Sequence, residues 1–244
     1  MVSASLRRPA AVGRVLRDGS IPARVRCWPF DPSVGQLVVY RARLAPTDQD
    51  VGTWLAQLDA SFPTVRTGAL PTANTEPFLR AGFREVQRLA LLEHRSPASA
   101  GAAAQRGRTR RMRSSELGGA EAVDRSAFDP PWQLDAAAID DACRATTHHR
   151  ARLTHTDGVI SGYAVTGRDG VDGYLQRLAV RPEHQRRGMA TTLVLDALRW
   201  AGRQGAHRVL VNTHVGNDRA LSLYRRLGFT DLDEQLVVLE RNRP

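Results

Sequence analysis

The stretch Tyr174-Leu175-Gln176-Arg177-Leu178-Ala179-Val180-Arg181-Pro182-Glu183-His184-Gln185-Arg186-Arg187-Gly188-Met189-Ala190 decides how this chain is read. Residues 174–180 read as a strand stopped by Pro182, and residues 181–187 as a loop. Gly188 opens a helix with apolar positions Ala190, Leu193, Val194, Ala197, Leu198 and Ala201, and Gly205 is its stop. A strand feeding a loop whose N–H groups converge at a helix start makes an anion site. Gly188 lets the backbone approach a phosphate closely, and Ala190 keeps that surface small. Arg186 and Arg187 add charge at the N-terminal end of the helix dipole. Taken alone, residues 185–190 also read as a plain strand-to-helix turn with solvated arginines.

Outward from this stretch the second part of the chain alternates as mixed α/β domains do. A short strand is expected over 109–114 and a helix over 116–128, broken by Asp129-Pro130-Pro131. Asp135 caps a second helix reaching Thr147. Residues 151–156 and 159–166 flank Asp157-Gly158, a hairpin signal. Beyond the central helix come a strand at 208–213, a helix at 218–227 ended by Gly228, and a strand at 235–240. The expected order is β-α-α-β-β-β-α-β-α-β, a mostly antiparallel sheet flanked by helices.

Before it, Ser96-Pro97-Ala98-Ser99-Ala100-Gly101-Ala102-Ala103-Ala104-Gln105 has no amphipathic period and reads as a linker. The expected division is a half domain at 1–95, a linker at 96–106 and a larger domain at 107–244. The first part repeats the tail of the second. A strand at 36–44, a helix at 51–62, a strand at 65–70, Asn74, Pro77-Phe78-Leu79, Gly82-Phe83 and Leu89-Ala90-Leu91-Leu92-Glu93 follow one order. Residues 209–213, Asn217, Ala220-Leu221, Gly228-Phe229 and Leu236-Val237-Val238-Leu239-Glu240 mirror its later members. The first copy has no glycine-containing loop between strand and helix.

The run from Leu178 to Ala190 resembles the acetyl-coenzyme A-binding motif of the GNAT superfamily of N-acetyltransferases, Gln/Arg-x-x-Gly-x-Gly/Ala after a strand. Asn217-Asp218-Arg219-Ala220-Leu221-Ser222-Leu223-Tyr224-Arg225-Arg226-Leu227-Gly228-Phe229 looks like that superfamily's second signature, in the right order and spacing. The resemblance spans roughly 107–244 and implies an acetyltransferase fold, with the first part a degenerate, truncated copy of related topology. It implies that Leu178, Ala179 and Val180 offer backbone groups to the pantetheine arm. Gln185, Arg186, Arg187, Gly188, Met189, Ala190 and Thr191 would cradle the pyrophosphate, and Asn217 would touch the pantetheine end. Tyr224 would hand a proton to the departing thiolate. The rival local roles are a helix cap for Asn217 and core packing for Tyr224. Acetyl-CoA is the implied co-substrate, with no metal.

Direct transfer to an amine requires some group to take the ammonium proton, often through water. Where relatives often carry a glutamate, this chain has Tyr174 and Asn212. Asp172 sits in a glycine-rich turn where solvation is the simpler expectation, and His155 and His214 are further candidates. A lysine amine near pKa ~10.4 is neutral in only about one molecule in several thousand at pH 7, whereas an α-amine near ~7.8 is neutral in over a tenth. Without an evident carboxylate base, an α-amine or amine-bearing metabolite is the expected acceptor over protein lysine.

The 244 residues contain 35 basic and 25 acidic side chains, and every basic one is arginine. Residues 1–113 hold 18 arginines against 8 acids, whereas 114–244 are balanced at 17 each, so the basic excess lies wholly in the first half. That half is compatible with an acidic acceptor or partner. A nucleic-acid reading would rest on Arg106, Arg108, Arg110, Arg111 and Arg113. No aromatic residue interleaves with them to stack bases, and the solvent side of a strand accounts for them better. No run approaches the roughly 20 apolar residues of a membrane helix, and the arginine-dotted start lacks a secretory h-region. Cys27 and Cys143 form neither a disulfide framework nor a metal knuckle, in keeping with a cytoplasmic protein. The competing class is a non-catalytic acyl-CoA sensor or scaffold.

Overall fold

A computed structural model describes residues 15–17, 20–39, 45–58, 61–99 and 108–243. The chain divides into two compact units, residues 1–89 with 234–244, and residues 90–233.

In the first unit β1 (Val15–Leu16), β2 (Ala23–Trp28) and β3 (Asp31–Val39) form an antiparallel run. β3 then crosses through α1 (Asp48–Leu58) to a parallel partner, β4 (Thr64–Thr67). Helix α1 starts where Thr47 and Asp50 cap each other. The Asp50 N–H donates to the Thr47 hydroxyl at 3.2 Å, and the Thr47 N–H donates to the Asp50 carboxylate at 2.8 Å. The Ser20 N–H and hydroxyl add bonds of 2.6 and 2.7 Å to the same carboxylate. Short β5 (Leu70–Pro71), α2 (Glu76–Arg80) and β6 (Arg84–His94) follow. The strand expected over 36–44 thus begins earlier, at Asp31, and residues 40–44 lie outside the described ones.

In the second unit the strands lie in the order β6-β11-β10-β9-β8-β7, with β6 contributing Ala90 onward. In chain order these are β7 (Arg110–Arg111), α3 (Leu117–Ala127), α4 (Ala136–Arg144), β8 (His148–Thr156), β9 (Val159–Asp169), β10 (Asp172–Val180), α5 (Met189–Arg203), β11 (Arg208–His214), α6 (Asp218–Arg226) and β12 (Thr230–Asn242). The succession agrees with the expected one. β7 is shorter than the strand expected over 109–114 because a 3-10 turn at Ser114–Glu116 interrupts it. α4, capped as expected by Asp135, which accepts from the Ala138 N–H, ends at Arg144 rather than Thr147. The Asp157-Gly158 turn has φ of +51° and +78°, the left-handed pair that a two-residue hairpin needs. Residues 100–106 of the expected linker lie outside the described ones.

Each face of the second unit's sheet carries a core. Leu193, Val194, Ala197, Leu198 and Ala201 of α5 pack with Val180, Val209, Leu221 and Leu92. On the other face Ala120, Val123, Ile139 and Cys143 of α3 and α4 pack with Leu153, Tyr163 and Ala179. Burying each such Leu, Ile or Val contributes about 1.5–3 kcal/mol, which presses α5 onto β8, β9 and β10.

β12 leaves the second unit after Asp233 and completes the first. Its residues Glu240, Arg241 and Asn242 pair antiparallel with Arg66, Val65 and Thr64, and Val237 and Leu239 enter the first unit's core beside Trp54, Phe62 and Phe78. Conversely, Leu92 of β6 lies in the second unit's core.

Candidate active site

β10 and β11 begin as parallel neighbours at Asp172–Arg208, Gly173–Val209 and Tyr174–Leu210, and their pairing stops there. From Leu175 onward β10 pairs with β9 and no longer with β11, so its edge facing β11 is left out of the sheet ladder. A bulge between Leu175 and Arg177 accompanies the parting and re-aims the strand. Leu178, Ala179 and Val180 lie on this open edge. Val180 anchors in the α5 core and Ala179 in the α3–α4 core, which holds the edge rigid.

The strand runs into a 3-10 turn, Pro182–His184, and then into α5. Arg186 has φ of +60° and Gly188, the N-cap, has φ of +81° with no side-chain cap. The first helical bond is Thr192 N–H to Gly188 C=O at 2.9 Å. The N–H groups of Met189, Ala190 and Thr191 therefore point outward at the helix's positive end. A Cβ built on Gly188 meets nothing within 4 Å, so the approach is open. Arg186 and Arg187 are exposed beside it. N–H donors, guanidiniums and free access are the donor set a diphosphate needs, so these residues fit one.

Gln185 turns out to be a strut. Its Nε2 donates to the Val180 carbonyl at 3.1 Å, and its Oε1 accepts from Arg219 of α6. Arg108, Thr154, His155 and Thr192 line a cleft of about 380 Å³ together with Arg187, Gly188 and Met189. Arg108, Thr154 and Arg219 come from segments distant from the loop in the chain, so sequence alone does not place them here, whereas Thr192 lies one turn into α5.

Asn217 caps α6, its Oδ1 accepting the Ala220 N–H at 3.1 Å while its Nδ2 donates to the Thr213 hydroxyl at 3.2 Å. Tyr224 is buried with its ring 5.5 Å from that of Phe229. Burial pushes its hydroxyl above the usual phenol range, with the Arg177 charge pulling the other way. Of the proposed base candidates, Asp172 is not solvated. It is 6% exposed, and Arg208 grips both of its oxygens at 2.8 and 3.2 Å. His214 accepts the Gly216 N–H on Nδ1 at 3.0 Å, which leaves its proton on Nε2. His155 contacts Arg110 at 2.8 Å, and burial together with that charge holds it below its usual range.

On the α3 side of the bulge stands a buried polar cluster that sequence patterns did not show. Arg177 reaches both oxygens of Asp124 at 2.8 Å and the Trp132 carbonyl at 2.8 Å, and stacks 3.6 Å from the Phe128 ring centroid. Asp124 also accepts from the Tyr163 hydroxyl at 2.5 Å and the Leu134 N–H at 2.6 Å. The cluster fixes the α3–α4 connection against β10 beside the opening.

Residues 120–229 match the model of the Acetyltransferase (GNAT) family. This part of the chain is similar to that family. A stretch of 115 residues is 31% identical to mycothiol acetyltransferase of Arthrobacter sp. (strain FB24), covering 47% of this chain and 32% of that protein. Another of 57 residues is 39% identical to N-alpha-acetyltransferase 30 of Schizosaccharomyces pombe, covering 23% of this chain and 38% of that protein. The chain thus spans about a third of the length of these two relatives. Among solved structures, a GCN5-related N-acetyltransferase from Kribbella flavida superposes with a TM-score of 0.67 at 18% identity, over 96% of this chain and 91% of that one. The mixed α/β sheet with flanking helices is therefore the GNAT fold. Among the described residues no three His, Cys, Asp or Glu side chains group as a metal site, and no helix is long and apolar enough to cross a membrane.

Proposed function

We propose that this protein is an acetyl-CoA-dependent N-acetyltransferase that moves an acetyl group directly to an α-amine or an amine-bearing small molecule. The observation that carries the reading is the parting of β10 from β11 after Tyr174 and Leu210, directly upstream of the uncapped α5 N-terminus.

When bound, acetyl-CoA supplies an activated acetyl thioester. Met189, Ala190 and Thr191 N–H groups with Arg186 and Arg187 hold its diphosphate. The open edge at Leu178, Ala179 and Val180 receives its amide-bearing arm as a strand would be received. Tyr224, kept protonated by burial, gives its proton to the sulfur as the C–S bond breaks and the new C–N bond forms. The amine's own proton leaves to water, since Asp172 and His214 are engaged elsewhere. That favours acceptors already neutral near pH 7, as an N-terminal or metabolite amine is to a useful extent. The names of the two curated relatives, one an N-alpha-acetyltransferase, agree with this acceptor class. We also read the first part as a degenerate copy. Both β3-α1-β4 and β10-α5-β11 are parallel crossovers, and α2 and α6 both end at a left-handed glycine followed by phenylalanine, Gly82-Phe83 and Gly228-Phe229.

Thiol release from acetyl-CoA over a panel of α-amino peptides, lysine peptides and small amines tests the reading. Turnover on α-amines or small amines is expected, and turnover confined to lysine side chains would refute the acceptor class. Tight cofactor binding with no turnover on any amine would favour a sensor, a reading motivated by the engaged acids and histidines.

A further inference from the structure

The arginines at 108–113 do not form one solvent face. Arg108 opens into the cleft at the phosphate loop, and Arg110 is bonded to Glu116. Arg111 and Arg113 border a separate cleft of about 320 Å³ at the outer edge of the sheet, where β7 ends and Arg150 and Arg152 of β8 enter the wall. The two clefts share no lining residue.

The charge in this second cleft is unbalanced. Arg111 and Arg152 stand opposite each other in the β7–β8 ladder, a like-charge pairing that costs stability. Arg150 binds Asp196 at 2.8 and 3.0 Å, and Arg152 approaches the same carboxylate at 3.6 Å. Asp140, also in the wall, is taken by Arg144. Arg111 and Arg113 have no ion pair within 4 Å among the described residues. Four guanidiniums therefore have only the Asp196 carboxylate between them, and Arg152 directs two of its donors to the Thr109 hydroxyl and carbonyl. Burial lowers the pKa of Arg152, with Asp196 pulling it up and the neighbouring Arg150 pulling it down. Leu117 of α3 and Trp200 of α5 add apolar surface to the lining. The volume suits a small molecule and is too small for a macromolecular interface.

We propose that this cleft is a second anion-binding site, taking a small phosphorylated molecule whose phosphate lies between Arg111, Arg113 and Arg152 and whose uncharged part rests against Trp200 and Leu117. Arg111 and Arg113 are exposed and unpaired, so their removal spares the fold.

The test is isothermal titration with ADP at low salt, in an Arg108→Ala/Arg186→Ala/Arg187→Ala background that removes every arginine placed at the first site, and with ADP binding there excluded by a control showing that this background no longer binds acetyl-CoA. One ADP per chain is expected to bind. Adding Arg111→Ala and Arg113→Ala removes charge-assisted bonds and should weaken binding at least about tenfold, whereas Arg111→Lys with Arg113→Lys should hold it within a few-fold. ADP should also quench a tryptophan emission that disappears in Trp200→Phe. No binding to the background protein, or binding indifferent to the Arg111→Ala/Arg113→Ala pair, overturns the proposal.

Discussion

Arg177 and Asp124, 53 residues apart in sequence, are joined by two 2.8 Å hydrogen bonds, and the Asp124 side chain is wholly buried. Removing one partner of such a pair leaves an uncompensated charge inside. Arg177→Met should therefore lower stability by about 3–5 kcal/mol in urea unfolding at pH 7, and adding Asp124→Asn should recover part of that loss. A single variant as stable as the wild type would show that the pair holds nothing together.

Gly188 sits at φ +81° with open space where a side chain would begin. Gly188→Ala forces an L-residue into the left-handed region at a cost of about 1–2 kcal/mol and sets a methyl group in the path of the diphosphate. The expected result is a KM for acetyl-CoA raised at least about tenfold, with the KM for the amine little changed. Equal effects on both KM values would place the damage in the fold and not at the cofactor.

Tyr224→Phe keeps the ring that packs on Phe229 and deletes only the hydroxyl. Proton donation by a placed side chain contributes roughly 10²–10⁴-fold, so kcat should fall by about two orders of magnitude with stability nearly unchanged. Because burial raises the pKa of the hydroxyl, it stays protonated well past pH 10. The wild-type rate should therefore show no loss near pH 10 from ionisation of this group. An unchanged kcat in the variant would return Tyr224 to simple core packing.

Burial alone would raise the pKa of Asp50, but the bonds from Thr47 and Ser20 outweigh it and bring it down to about 2, against 3.8 when unperturbed. A depressed carboxylate stabilises the fold above its unfolded value, and that contribution fades as pH falls from about 4 toward 2. Asp50→Asn should cost about 2 kcal/mol at neutral pH and flatten the acid limb of a stability-against-pH curve. Parallel acid limbs for the two proteins would show that Asp50 is not the titrating group.

The turn from β10 into α5 was legible because its signal is local. A strand, a left-handed glycine and an amphipathic helix all lie within residues 174–203. The order of elements in the second part was legible for the same reason, since hydrophobic period and turn residues act over a few positions. What escaped notice is non-local. Asp172 looked solvated from its glycine neighbours, yet its partner Arg208 lies 36 residues on, in the adjacent strand. Gln185 looked like a ligand-facing side chain, and its partner Arg219 belongs to α6. The Asp124–Arg177 cluster needs the bulge in β10 and the packing of α3, and neither leaves a mark in composition.

The routing of β6 and β12 bears on how this protein can be handled. Severing the chain within residues 96–106 would deprive the N-terminal fragment of Val237 and Leu239 and the C-terminal fragment of Leu92. Each fragment would expose a gap in its core and lack a strand, so the chain is a reciprocal loan of two strands and not a tether between independent modules. Expression of either fragment alone should give an aggregation-prone product, whereas making both together offers each its missing piece.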